Sequence, residues 1–267
     1  DNAAPLCCDE PTFAHYLTLA GYDTALSGKM HFVGPDQLHG FRTRFMHNIY
    51  PSGFDWTVPR NPNGVPFSHN LVPPRSWVHT RQYTGEIVHS QESSPTLNYD
   101  EEAHFHACRY MLSRAQVNAG KPEEAKPFCL CVSYHHPHEP FMPPKKYWDL
   151  YEGVDIELPK LFPDDDYRAS AMDEWMWNYH GCSAESRPTR ESVQRLYRAY
   201  FALVTYIDDK VGELMQTLAQ AGLDDTTVVV FTSDHGDMLW HHGHVQKRVF
   251  YEWAARVPLI VSFPDGR

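Results

Sequence analysis

The sequence predicts an α/β protein whose parallel sheet is covered on both faces by helices. Three observations carry that expectation. Short apolar runs rich in β-branched residues alternate with longer stretches of helical periodicity. The longest of these stretches, Glu191 to Ala221, puts Leu196, Tyr200, Leu203, Val204, Ile207, Val211, Leu214 and Leu218 on one face. Finally, three of the apolar runs are each followed at once by a polar cluster. Open α/β sheets bind ligands in that position, beyond the carboxyl ends of their strands.

Taken in order, Pro11 to Ala20 reads as a short helix, with Pro11 suited to its first turn and Gly21 to its end. Tyr22 to Leu26 fits a short strand before Ser27-Gly28. Residues 42–98 are rich in Pro, Asn, Ser and aromatics without periodicity, and are expected as long loops with a functional role. Tyr99 to Ala119 is expected as a helix, from Ala103, Cys108, Met111, Leu112 and Ala115. Phe128 to Tyr134, after Pro127, reads as a buried strand. Residues 137–190 return to loops, including Pro143-Pro144 and the acidic run Asp164-Asp165-Asp166, which reads as solvated. Gly222 ends the long helix, and Thr226 to Ser233 and Val257 to Phe263 read as strands. The expected organisation is one partial domain over 1–267, with 42–98 and 137–190 as loop-rich insertions.

Composition excludes several classes. A chain of 267 residues has room for a sizeable core. Lys plus Arg number 23 against 34 Asp plus Glu, a net charge of −11. Without a basic run, nucleic-acid binding through the phosphates is not expected. No apolar run reaches the roughly 18 residues that a membrane span needs. The six cysteines form no Cys-x2-Cys pair, and Cys108, Cys129 and Cys131 read as small buried hydrophobes. Because the chain opens at Asp1 and stops at Arg267, it reads as a piece of something longer. The cytoplasm is the expected compartment, and self-association stays open.

The polar clusters are Lys29-Met-His31, His135-His-Pro-His138 and Asp234-His235-Gly-Asp237. Their common topological position is expected to bring them to one crevice. Lys29 and His31, two residues apart, face one side of an extended segment. Lysines such as Lys29 and Lys247, with histidines, can clamp an oxyanion, and Asp234 can hold a hard cation against it. That combination suits hydrolysis of a sulfate or phosphate ester. No nucleophile is visible. His135 and His136 read as packing or hydrogen-bonding groups, Asp208-Asp209 as a surface pair or local cap, and His241, His242 and His244 as a solvated loop rather than a metal site.

Ser27-Gly-Lys-Met-His31, Pro137-His138-x-Pro140, Tyr206-Ile-Asp-Asp-Lys-Val-Gly212, Phe231-Thr-Ser-Asp-His-Gly236 and Ala255-Arg-Val-Pro-Leu259 together resemble the type I sulfatase family, in the family's order. Lys29-Met-His-Phe followed by Gly34-Pro-Asp-Gln-Leu-His-Gly40 resembles its choline-sulfatase branch. The resemblance implies an alkaline phosphatase-like α/β sandwich with a large mixed, mostly parallel sheet between helices. It implies that Asp234 and His235 are ligands of a divalent cation, calcium in most of the family. A histidine nitrogen is not the usual calcium ligand, so manganese and magnesium stay open. Lys29 and His31 match residues that contact the sulfate and the nucleophile. His138 matches a histidine at the leaving-group oxygen, and Lys247 a second sulfate-binding lysine. Trp56, His69 and Asn70 match the lining of a choline pocket. An indole face suits a quaternary ammonium, with loop packing the other reading of Trp56.

The chain departs from the family in three places. The Cys-x-Pro/Ala-Ser-Arg motif, whose cysteine becomes formylglycine, is absent and is expected upstream, as are the first metal-ligand aspartates. The C-terminal subdomain is absent too. Leu239-Trp-His-His-Gly-His-Val-Gln246 replaces the Gly-Glu-Arg-Gly type of loop. The function expected of the parent protein is hydrolysis of a small sulfate ester, choline-O-sulfate, to the alcohol and sulfate, with the isolated segment inactive. The alternatives are a phosphodiesterase or phosphonate-ester hydrolase on the same fold, and a truncated relic or non-catalytic binding module.

Overall fold

A computed structural model describes residues 5–50, 88–120, 125–159, 169–180 and 188–264. The chain divides into two compact units. The first is Asp1–Phe67, Ser93–His136 and Ile207–Thr226; the second is Ser68–Glu92, Pro137–Tyr206 and Thr227–Arg267.

The first unit contains α1 (Phe13–Leu19), β1 (Asp23–Gly28), β2 (Thr43–Arg44), α2 (Pro95–Gly120) and β3 (Phe128–Ser133). β1 is central, paired in parallel with β2 and β3. Thr24, Ala25, Leu26 and Ser27 are all fully buried, as a parallel strand covered on both faces requires. Successive residues point to opposite faces. Leu26 packs with Ala14 of α1, whereas the Ser27 hydroxyl donates to the carbonyl of Ala103 in α2 at 2.7 Å. The two helices therefore cover opposite faces of β1.

α2 begins four residues earlier than the periodicity suggests. The Leu97 N–H donates to the Ser94 hydroxyl at 3.1 Å, and Pro95 occupies the first helical position. A serine cap followed by proline is a start signal that outranks hydrophobic spacing there. The long helix α5 (Arg190–Gln220) contributes its segment from Ile207 onward to this unit. In that segment the buried Lys210 ammonium donates to Glu101 of α2 at 2.9 Å and to Glu213 at 3.1 Å. Burial opposes its charge, but the two carboxylates outweigh that and raise its pKa. Asp208 and Asp209 are exposed, the surface pair expected of them. Cys108, Cys129 and Cys131 are free and partly buried; burial pushes the Cys131 thiol up to about 12.

The second unit holds α3 (Lys145–Leu150), α4 (Ala171–His180), the first part of α5, β4 (Val229–Thr232), α6 (Glu252–Ala255) and β5 (Leu259–Ser262). α3 and α4 lie in the stretch expected as loop. The start of α4 has a physical cause: the Asp173 N–H donates to the Ser170 hydroxyl at 3.1 Å, while Asp173 Oδ2 accepts from the Ser170 N–H at 2.8 Å. This reciprocal pair is a capping box in which Asp takes the place of Glu. A core of Phe141, Ile156, Val193, Leu196, Leu203 and Trp240 packs along the first part of α5.

β4 and β5 pair antiparallel, with Val229 opposite Ser262 and Thr232 opposite Leu259, a pair that the expected mixed, mostly parallel sheet admits. Parallel neighbours need a crossover over the sheet. The connection here instead folds back on its own start, the Gly236 N–H donating to the Ala254 carbonyl at 2.9 Å. No helix among the described residues is long and apolar enough to cross a membrane.

Gly28 closes β1 at φ +111°, and a Cβ there would lie 1.9 Å from the Ser133 carbonyl oxygen of β3. Gly28→Ala is expected to destabilise the protein by about 3 kcal/mol, measured by denaturant unfolding. Asp173 supplies a pH test. Burial alone would raise its pKa, but the Ser170 amide and the His244, Ser170 and Tyr251 side chains hold its carboxyl well below the usual range. Its contribution is complete above the unfolded value of about 3.9 and is lost as pH falls toward the folded value. Asp173→Asn is expected to lower stability at neutral pH and to flatten the acid limb of the stability–pH curve.

Candidate active site

In the first unit, β1 and β3 both end at the Gly28–Ser133 pair. The Lys29 N–H donates to the Ser133 carbonyl at 2.9 Å, so the pairing delivers Lys29 just past the strand end. His31 has φ +55°, a left-handed turn. The extended segment expected for Lys29 and His31 is therefore not formed. Both side chains nevertheless meet at Tyr50: the Lys29 ammonium lies 5.3 Å from the centre of its ring and the His31 ring 5.0 Å away. The His135 ring approaches the same tyrosine at 5.9 Å. Nothing in the local sequence around Tyr50 marks it for this place.

His135 and His136, just past β3, are buried, as expected of packing and hydrogen-bonding groups. Their anchor is Asp100 of α2, itself fully buried. Asp100 Oδ1 accepts the His135 backbone N–H at 2.6 Å, and Oδ2 accepts the His136 N–H at 3.1 Å and the His136 ring Nδ1–H at 2.6 Å. A carboxylate accepts and cannot donate, so the proton is on Nδ1.

In the second unit, four of the expected site residues come together. His138 Nδ1 lies 3.0 Å from the buried Glu139 carboxylate and 3.0 Å from the Glu139 carbonyl. Both are acceptors, so Nδ1 carries the proton and Nε2 presents a lone pair. The Lys247 ammonium donates to that lone pair at 2.8 Å. The His138 and His235 rings are 6.2 Å apart. His235 repeats the logic: Nδ1–H donates to the Gly236 carbonyl at 2.8 Å, which leaves the Nε2 lone pair 3.5 Å from Asp234 Oδ2. Burial pushes the Lys247 pKa down, against the pull of Glu139, Asp237 and Asp234. Burial, then the Lys247 charge, pushes His235 down as well. A cation and a neutral imidazole in contact, flanked by carboxylates, form a polarised proton-donating pair suited to an oxyanion.

Asp234 and His235 also face a cation well. One offers an exposed carboxylate and the other an imidazole lone pair already oriented by its second nitrogen. Among the described residues no three His, Cys, Asp or Glu side chains converge as a metal-holding group.

Lys247 is carried by a turn between Met238 and Gln246, closed by Met238 N–H to Gln246 O and Trp240 N–H to His244 O, both 2.7 Å. Leu239, Trp240, His242, Gln246 and Arg248 all have positive φ, at a cost of roughly 1–2 kcal/mol each. The turn is not the solvated loop expected for its histidines. His244 is buried, and His241 and His242 stack on Trp253 and Tyr251 at 4.3 and 4.6 Å. Glu139, unmarked between His138 and Pro140, accepts from the Gln246 amide at 2.9 Å. Trp56, His69 and Asn70, the expected choline-pocket residues, lie outside the described residues.

The α/β fold, with polar clusters beyond its strand ends, is the fold of sulfatases and phosphonate monoester hydrolases of solved structure. The sulfatase family model matches residues 5–267, and the chain belongs to the sulfatase family. It is 41% identical over 272 residues to the choline-sulfatase of Rhizobium meliloti, covering 99% of this chain and 49% of that protein. To the arylsulfatase of Clostridium perfringens it is 27% identical over 263 residues, covering 96% and 53%. The chain thus spans about half the length of these curated relatives. The phosphonate monoester hydrolase of Silicibacter pomeroyi shares the fold, with a TM-score of 0.61, 21% identity, and coverage of 99% of this chain and 55% of that one.

Replacing Asp100 by Ala would leave the His135 and His136 N–H groups and the His136 ring without their acceptor. We expect a loss of about 3–5 kcal/mol in denaturant unfolding, and a smaller loss for Asp100→Asn, which keeps one oxygen.

Proposed function

We propose that this chain forms part of a sulfuric ester hydrolase, with choline-O-sulfate as substrate. The observation that carries the reading is the Lys247–His138 contact beside Asp234 and His235, inside a chain of the sulfatase family. The choline preference rests on the 41% identity to a choline-sulfatase and on the matches of Trp56, His69 and Asn70.

In this reading, Lys247 keeps two ammonium hydrogens for sulfate oxygens after donating one to His138. Transfer of that proton from Nζ to Nε2 would leave Lys247 neutral and His138 an imidazolium, whose Nε2–H would protonate the leaving oxygen, where negative charge grows as the S–O bond breaks. Glu139 holds the His138 ring in the tautomer that makes this transfer available. Lys29 and His31 join as sulfate contacts through the family resemblance. A divalent cation held by Asp234 and His235, calcium being the first expectation, would stabilise charge on the sulfuryl oxygens, and a formylglycine would supply the nucleophile.

The test uses the full-length protein against choline-O-sulfate, an aryl sulfate and a phosphonate monoester. Choline-O-sulfate is expected to give the highest kcat/KM, and Lys247→Ala to lower it by about 10²–10³-fold. Faster turnover of the phosphonate ester would replace this reading with the phosphonate-hydrolase one. Binding of choline-O-sulfate without turnover of any ester would make the protein a binding module. Chelation is expected to abolish activity, and restoring calcium, manganese or magnesium separately identifies the cation.

A further inference from the structure

The residues around Lys247 meet at a carboxylate that belongs to neither the metal donors nor the His138 pair. Asp173 Oδ1 accepts from His244 Nε2–H at 2.9 Å and from the Tyr251 hydroxyl at 3.0 Å. His244 stands three residues before Lys247 and Tyr251 four residues after it. One oxygen therefore ties down both ends of the segment that has Lys247 near its middle. We propose that Asp173 is a positioning residue that holds the Met238–Tyr251 segment in the form that sets the Lys247 ammonium on His138.

The conformation of that segment requires such a hold. Five non-glycine residues in left-handed backbone persist only where the surroundings over-determine them. Part of the restraint is packing, since Met238 and Trp240 are fully buried. Part is neutral hydrogen bonding, from the Tyr197 hydroxyl to the Leu239 carbonyl at 2.9 Å and from Trp177 Nε1–H to the His242 carbonyl at 3.3 Å. Asp173 adds a buried, charged acceptor, which makes shorter and stronger bonds than a neutral one.

Its own place is rigid, because Oδ2 is spent in the capping box at the start of α4, accepting the Ser170 N–H at 2.8 Å and hydroxyl at 2.9 Å. The carboxylate can only accept, so His244 carries its proton on Nε2. The His244 ring lies over Trp177 at 5.4 Å, which fixes its plane. The arrangement also explains how a turn unlike the family's usual one can still present a lysine: α4 supplies from outside the turn the restraint on its conformation.

The catalytic meaning of the proposal rests on the sulfatase reading of Lys247, whereas the positioning itself does not. The test therefore reads both. In the full-length protein, Asp173→Asn, Tyr251→Phe and His244→Gln are compared with wild type. Acylation of Lys247 by an amine-specific succinimidyl ester is measured by peptide mass spectrometry, with exposed Lys145 as internal reference. Val193→Ala, a core truncation in the same unit, controls for general destabilisation.

Lys247 acylation is expected to rise several-fold in the Asp173 and Tyr251 variants and to stay at the wild-type level in Val193→Ala. In the same variants, kcat for choline-O-sulfate should fall about 10- to 100-fold with KM changed less. Should Asp173→Asn fail to fold, Tyr251→Phe, which removes one hydroxyl, carries the comparison. Wild-type acylation in both Asp173→Asn and Tyr251→Phe, or an equal rise in Val193→Ala, overturns the proposal. A rise in acylation in a protein that turns over no sulfate ester would uphold the positioning and sink the sulfatase reading instead.

Discussion

A carboxylate taken out of water must be met by hydrogen-bond donors, because its desolvation cost is otherwise unrecovered. Three buried carboxylates meet that demand here with histidine-bearing segments. Asp100 collects two backbone N–H groups and a ring N–H from His135 and His136. Glu139 takes the Nδ1 proton side of His138 and the amide of Gln246. Asp173 takes His244 and Tyr251. In each case the carboxylate settles which ring nitrogen is protonated, and so which nitrogen is left to act. The polar chemistry of the chain is thereby tied to its packing, since moving one of these acids moves a tautomer.

The strands set where this chemistry stands. β1 and β3 run in parallel and end together, with Gly28 so close to Ser133 that no side chain fits between them. Past that pair the two chains separate as Lys29-Met-His31 and Tyr134-His-His136. In the second unit β4 does the same for Asp234 and His235, although its partner runs antiparallel. A strand end is a rigid platform with free backbone beyond it, which suits groups that must be held still while a ligand enters.

Membership of the sulfatase family and the local geometry support each other without being the same argument. Family membership comes from the match over residues 5–267. The geometry adds that the Lys247 ammonium contacts His138 beside His235, whose ring is oriented by the Gly236 carbonyl. Burial lowers the pKa of both Lys247 and His235 although carboxylates stand beside each of them.

Unlike β2, α3, α4 and α6, the elements α1, β1, α2, β3, α5, β4 and β5, the segment of each polar cluster and the family were legible in the amino-acid sequence. They rest on local periodicity and on residue types at short spacing, which a linear chain displays directly. Asp234 and His235 could be named from the Phe231–Gly236 motif, and Lys247 only from the resemblance, since the loop before it departs from the family's pattern. Two starts were legible but outweighed by the hydrophobic pattern, Ser94-Pro95 for α2 and the Ser170–Asp173 box for α4. Tyr50, Asp100 and Asp173 were not legible in their roles. Asp100 meets its histidines 35 and 36 residues away, and Asp173 meets His244 and Tyr251 across 71 and 78 residues. Which nitrogen a histidine protonates, and whether a turn of left-handed residues holds, depend on partners brought near only by folding. Sequence by itself determined the chemical groups and the strand ends that carry them, whereas the tertiary structure alone decided which acid holds which base.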